Sequence, residues 1–201
     1  PMLLSYARPL EAYDLDFYSD DLEDYSDAGA TAILDQLAEI RQGLGAYDRD
    51  SPSRVQQLSY DVLEWLLDTL ESSRAFLYHV YPVNQFDGSQ SGLPDFMVNI
   101  HQIDDERDAH NYLARIANFE LALAQMRQSV LRRAVRGFLP PRFVLRAVAS
   151  ESTAFASGAV EDNVLYTKLA ESLDEIADFP ATTREEMLSE LRVLIREIVQ
   201  P

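Results

Sequence analysis

Apolar residues in this chain recur at spacings of three and four over most of its length, the period of a helix rather than the alternation of a strand. Ile33, Leu34, Leu37 and Ile40 follow Ser26 and Asp27, either of which can cap a helix, and Gly43 and Gly45 can end it. Ser51 then Pro52 is a second start signal: a capping hydroxyl, followed by proline where its missing N–H costs nothing. The helix that follows is expected to run to about His79. Val55, Leu58, Val62, Trp65 and Leu66 form one stripe on it, and Leu63, Leu67, Leu70 and Leu77 widen that stripe. A stripe so wide predicts burial on more than one side.

Residues 82–94 interrupt the periodicity. Two prolines bracket two glycines there, with Asn84, Asp87, Ser89 and Ser91 between them, and such residues set turns. Val83, Phe86 and Leu93 point to a loop packed on the protein. A short helix over 93–102 would turn Phe96, Met97 and Ile100 inward. Asp104 or Asp105 then caps a second long helix, whose seam is Ala109, Tyr112, Ile116, Phe119, Leu123, Met126 and Val130. Arg132, Arg133 and Arg136 favour the negative pole of its end, and Gly137 is a left-handed stop.

Pro140 and Pro141 restart the chain. Phe143, Val144, Ala147 and Val148 mark a helix to about Ala156, broken by Ser157 and Gly158. The next helix begins near Asp162 or Asn163 and carries Leu165, Leu169, Leu173 and Ile176, until Phe179 and Pro180 end it. Thr182, Thr183, Arg184 and Glu185 read as a capping box. The last helix, to about Gln200, carries Met187, Leu191, Leu194 and Ile198. No partner for that face is visible in the sequence, which implies more protein beyond it. The fold expected is all-α: about six helices in a single domain over 1–201, two long ones packed antiparallel, with a structured loop near 82–94.

Composition narrows the function. With 201 residues, 47% hydrophobic and 25% charged, the chain is long enough and apolar enough to bury a core. Its net charge of −17 repels phosphate backbones and anionic lipids, against nucleic-acid binding and membrane-surface association. The absence of cysteine excludes disulfides, thiol catalysis and cysteine-ligated zinc. No apolar run is long enough for a membrane-spanning helix, and Pro1, Met2, Leu3, Leu4 and Ser5 lack the pattern of a signal peptide. A chain opening on Pro1 reads as a processed or trimmed product. Near the start, Asp14, Asp16, Asp20, Asp21, Glu23 and Asp24 alternate with Tyr13, Phe17, Tyr18, Leu22 and Tyr25, but without the glycine and closing glutamate of a calcium loop. A solvated, aromatic-anchored lead-in segment is the expectation there.

No phosphate loop, nucleophile elbow or His-Glu-x-x-His motif is present. His79, His101 and His110 are the only histidines; His101 and Asp104 with His110 beyond them do not match a metal-ligand spacing, and a hydrogen-bonded structural histidine is the expectation. Tyr78, Tyr81, Phe86 and Phe96 gather around the loop and read as core rather than as a ligand box. The motifs name no catalytic residue and no metal ligand. Asn84, Gln85, Phe86 and Asp87 are the candidate cleft-facing residues, with the holding of the loop's own backbone by Asn84, Gln85 and Asp87 the favoured role over substrate contact.

The ordered words Asn84–Met97, then His101, Asp108-Ala109, Asn111 through Arg115, Gly137 through Val144 and Asn163 through Tyr166 resemble a large bacterial domain-of-unknown-function family related to gluzincin-type zinc metallopeptidases. The resemblance covers roughly residues 10–201. Members of that family are considerably longer, and their zinc site, a His-Glu-x-x-His helix with a downstream glutamate, falls in the second half. The resemblance therefore implies that this chain is a non-catalytic N-terminal helical portion of a zinc-dependent peptidase or hydrolase, forming a wall of a cleft for a peptide substrate. Its partner would be the remainder of the parent chain. Zinc would sit in that remainder and no cofactor in this part. The family includes secreted and lipid-anchored members, which leaves cytoplasmic and exported locations equally open. The alternative is a self-contained acidic binding module that meets a basic partner.

Overall fold

A computed structural model describes residues 2–6, 13, 19–49 and 53–200. Asp14, Asp16, Phe17 and Tyr18 of the acidic run, the Ser51–Pro52 start signal and Pro201 lie outside those residues. The described residues form helices and turns, with no strand among them. The α-helices are α1 (Asp27–Leu44), α2 (Arg54–Ser72), α3 (Ser89–Asp95), α4 (Glu106–Ala117), α5 (Phe119–Val135), α6 (Arg142–Phe155), α7 (Val164–Glu175) and α8 (Ala181–Leu194). Wider π turns extend α3 over Phe96–Ile100 and α8 over Ile195–Val199.

Many predicted signals act where the sequence places them. Ser26 Oγ accepts from the Gly29 N–H at the start of α1, and Asp105 accepts from Asp108 N–H at the start of α4. Gly137 takes φ +83° after α5, a conformation that glycine adopts without a Cβ clash. Asn163 caps α7 through the Leu165 N–H and also donates to the Phe155 carbonyl.

Three details differ from the sequence reading. The long helix predicted from Asp104 to Arg136 is divided at Asn118 (φ −73°, ψ −6°) into α4 and α5, although Asn118 N–H still donates to the Ala114 carbonyl and its own carbonyl accepts from Ala122 N–H. The Asn118 side chain donates to the distant Asp20 carbonyl, and the buried positions continue at helical spacing into α5. Ala109, Tyr112 and Ile116 stay inward on α4, but α5 buries Phe119, Ala122, Met126, Ser129 and Arg133 and leaves Leu123 partly exposed. The capping box does not form. Pro180 sits at the cap position and α8 begins at Ala181, so the box residues fall inside the first turn; Arg184 pairs with Asp174 and Glu185 with Arg192. The terminal face also has its partner within the chain: Met187, Leu188, Leu191 and Ile195 are buried against α4 and α7. Tyr112 in the same core donates its hydroxyl to the Leu165 carbonyl at 3.0 Å, so its burial leaves no orphan polar group.

The two longest helices, α1 and α2, form an antiparallel hairpin. Ion pairs run along the hairpin: Arg41 reaches Glu64 at 3.2 Å and Asp68 at 2.6 Å, and from the adjoining turns Arg74 reaches Asp35 and Arg49 reaches Asp61. Leu34 and Leu67 are buried between these pairs. The stripe of Val55, Leu58, Val62, Trp65 and Leu66 faces solvent, against the predicted burial on more than one side. No residue of α1 or α2 belongs to the main core, which α3, α4, α5, α7 and α8 build.

The hairpin is fastened to α5 at one place. Asp27, buried at the start of α1, accepts from Ser129 Oγ at 3.0 Å, Arg132 at 3.1 Å and Arg133 at 3.2 Å. Burial alone would raise its pKa. The three donors outweigh that penalty and hold the carboxyl below its ordinary value. Arg133, also buried, donates to the Leu77 and Val80 carbonyls beyond α2. One guanidinium thus ties down both ends of the hairpin. Tyr78 lies under the guanidinium groups of Arg133 and Arg136, which adds a cation–π contact at the same place. Asp27→Ala removes the carboxylate that faces two arginines and is expected to cost about 3 kcal/mol or more. Urea unfolding measures this, and a loss below about 1 kcal/mol would show that the hairpin is held elsewhere.

Candidate functional site: a cavity beside the 82–94 segment

The second half of the 82–94 segment is helical, since α3 starts at Ser89. The first half is held by its own backbone and side chains. Asn84 Oδ1 accepts from the Phe86 and Asp87 N–H groups at 2.9 and 3.0 Å, an Asx turn, and the Pro82 carbonyl accepts from Ser89 N–H. Gly88 is buried against this turn. A Cβ there would lie 2.4 Å from Asn84 N and 2.6 Å from Asn84 O, so only hydrogen fits. Gln90 Nε2 donates to the Asn84 carbonyl at 2.6 Å and to Glu151 at 3.3 Å, joining the loop to α6.

Next to Gln90 lies a cavity of about 430 Å³. Leu93, Pro94 and Val98 form one wall, Phe119 and Leu123 another, and Phe155, Val164 and Val199 the remainder. Gln90, Asp95, Asn99, Glu151 and Ser152 bring the polar atoms. Gln90 Oε1 is buried with no hydrogen-bond partner. Pro94 has no N–H to give the Gln90 carbonyl four residues back, so a second acceptor on this wall lacks its helical donor. The π turn that follows supplies Val98 and Asn99 to the lining. An apolar chamber with a few amide and carboxylate groups at its edge suits an apolar side chain next to a polar backbone. The cavity contains no nucleophile paired with a base.

None of Asn84, Gln85, Phe86 and Asp87 lines the cavity. Asn84 is committed to the turn, Phe86 is 87% exposed, Asp87 is exposed and Gln85 is half-buried. They adjoin the cavity through Gln90. The predicted aromatic cluster does not assemble as core: Phe96 is buried, but Tyr81 and Phe86 are exposed. The cavity residues on α5 and α6 were not singled out in the sequence, because they come together only through tertiary packing.

The histidines do not gather. His101 is buried, accepts at Nδ1 from Arg115 Nη1 (2.7 Å) and donates from Nε2 to the Asp108 carbonyl (3.1 Å). Burial, then the Arg115 charge, push its pKa down to about 4, so the ring is neutral and both nitrogens are engaged. Arg115 also donates to the Asp21 carbonyl and to Ser5 Oγ, and so pins the lead-in segment to the core. His110 is exposed beside Glu106, and His79 stacks between Phe76 and Phe138. Among the described residues no group of three or more His, Asp or Glu side chains is arranged to hold a metal, so the residues present here do not fit a zinc site. Of the central word of the family resemblance, Asp108, Ala109, Tyr112, Leu113 and Arg115 are buried and Asn111 and Ala114 are half-buried.

The fold and the sequence have matches among known proteins. The chain belongs to the family described as "Bacterial protein of unknown function (DUF885)", whose family model matches residues 9–201. Among solved structures it is similar to one described as "The crystal structure of the putative lipoprotein from Colwellia psychrerythraea", with a TM-score of 0.83 at 18% identity. That alignment takes in 100% of this chain and 37% of the other, so this chain spans little over a third of the neighbour's length. At that identity the likeness concerns the fold alone. No match is found among curated proteins.

The buried histidine makes stability depend on pH. The unfolded chain protonates His101 at the ordinary value of 6.5, whereas the folded chain does so only near 4. Between those values the unfolded state binds the extra proton, so stability falls as pH falls, by on the order of 3 kcal/mol across the window. Above about pH 6.5 this contribution is constant. Denaturant titrations at pH 7 and pH 4.5 are expected to give a smaller pH-dependent loss for His101→Gln than for the parent chain. Equal losses would mean that His101 titrates normally in the fold.

Proposed function

We propose that this chain is the non-catalytic N-terminal helical part of a longer zinc-dependent peptidase or hydrolase, and that the cavity beside α3 forms one wall of its substrate cleft. The observation that carries the reading is the cavity itself. Its apolar chamber, edged by Gln90, Asp95, Asn99, Glu151 and Ser152, accepts an apolar side chain next to a polar backbone. The short reach of this chain along its structural neighbour supports a larger parent. The zinc-peptidase part rests on the resemblance of the sequence words.

In this reading the residues of the chain bind and orient, and none performs the chemistry. The loop of Asn84, Gln85, Phe86 and Asp87 adjoins the cavity through Gln90, with Phe86 exposed and Asn84 keeping the turn closed. Zinc, when bound, supplies a polarised water for hydrolysis, and its ligands lie in the downstream part of the protein.

The test uses the full-length protein. Elemental analysis is expected to find zinc, and removal of zinc to abolish peptide hydrolysis. Ser152 lines the cavity from an exposed position on α6, so Ser152→Trp fills the chamber without replacing a core residue. It is expected to raise KM about tenfold or more with kcat little changed. A full-length protein without zinc would sink the peptidase reading, and an unchanged KM would remove the cavity from the cleft.

A further inference from the structure

The apolar stripe of α2 points away from its own hairpin. Glu64, Leu67 and Asp68 face α1 through the ion pairs and the buried leucine. Val55, Leu58, Val62 and Trp65 fall on the opposite side of the helix and are 75, 63, 55 and 68% exposed. Their spacing of three, four and three is that of a helix-packing seam, which receives another helix at a shallow angle. No charged side chain interrupts it, since Leu66 and Thr69 continue the same face. A contiguous apolar surface of this kind marks an interaction site.

We propose that this seam is the seat of an amphipathic helix from the downstream part of the longer polypeptide. Two observations choose that occupant. First, this chain accounts for only 37% of the length of the solved protein that shares its fold, so most of such a protein is available to cover it. Second, the faces of α4, α7 and α8 are already packed against one another in the core, whereas α2 contributes nothing to that core. A second copy is the weaker occupant, because it would bring together two chains of net charge −17 each along a seam with no basic residue in it. The polar contact between α1 and α2 fits the same assignment. The hairpin needs its ion pairs toward α1 because its apolar side belongs to another helix. The inference rests on the reading of this chain as part of a longer protein, and is independent of zinc chemistry.

Hydroxyl-radical footprinting of the full-length protein, read by mass spectrometry, tests it. Trp65 is the single tryptophan of residues 1–201 and an efficient target. Labelling of Leu58, Trp65 and Leu66 is expected to fall several-fold below that of the urea-unfolded protein, while light scattering shows a monomer. Val62→Glu in the full-length protein is expected to restore labelling at Trp65. Labelling near the unfolded level overturns the proposal. So does protection that is found only in a dimer and disappears on dilution, since the occupant is then a second copy. Zinc content measured on the same sample reports on the peptidase reading separately, so either can fail without the other.

Discussion

Two guanidinium groups and a hydroxyl converge on the buried carboxylate of Asp27, and the placement of the whole α1–α2 hairpin follows from that meeting. The hairpin shares no apolar residue with the main core, so hydrophobic burial does not fix its position. Arg133 does so from the core side, with one end of the hairpin held through Asp27 and the other through the Leu77 and Val80 carbonyls. Removing one partner of such a buried cluster strands the others, so its cost falls on the arrangement that brings them together.

This constraint explains how an apolar helix face comes to be presented to solvent. Ion pairs hold α2 to α1 by its polar side, and the clamp at α5 fixes the pair to the core. The stripe from Val55 to Leu66 is left pointing outward on a rigid support. Next to α3, the Gly88 turn, Gln90 and α6 frame the cavity. The two surfaces differ in kind. The seam of α2 has the spacing of a helix-packing face, whereas the cavity has the volume and mixed polarity of a small binding pocket.

Local signals in the sequence translated directly. Ser26, Asp105, Asn163 and Gly137 act within a turn of their own position, and the helical period was plain over nearly every element. The Asx turn at Asn84 was legible for the same reason. Features that depend on distant residues were not legible. Arg133 looks in sequence like any cation at a helix end; its burial depends on Asp27, more than a hundred residues earlier. The stripe of α2 and the stripe of α8 have the same spacing, and only tertiary packing decides that α8 is covered and α2 is not. The cavity joins Gln90 to Glu151 and Val199, a juxtaposition no local pattern encodes.

The central claim is that the Asp27–Arg133 pair, rather than apolar contact, positions the hairpin. A double-mutant cycle between Asp27→Ala and Arg133→Met, read by denaturant unfolding, measures that coupling directly. The account predicts an interaction energy of about 2 kcal/mol or more, because each single change strands a buried charge that the double change removes. Additive losses, with coupling near zero, would contradict it.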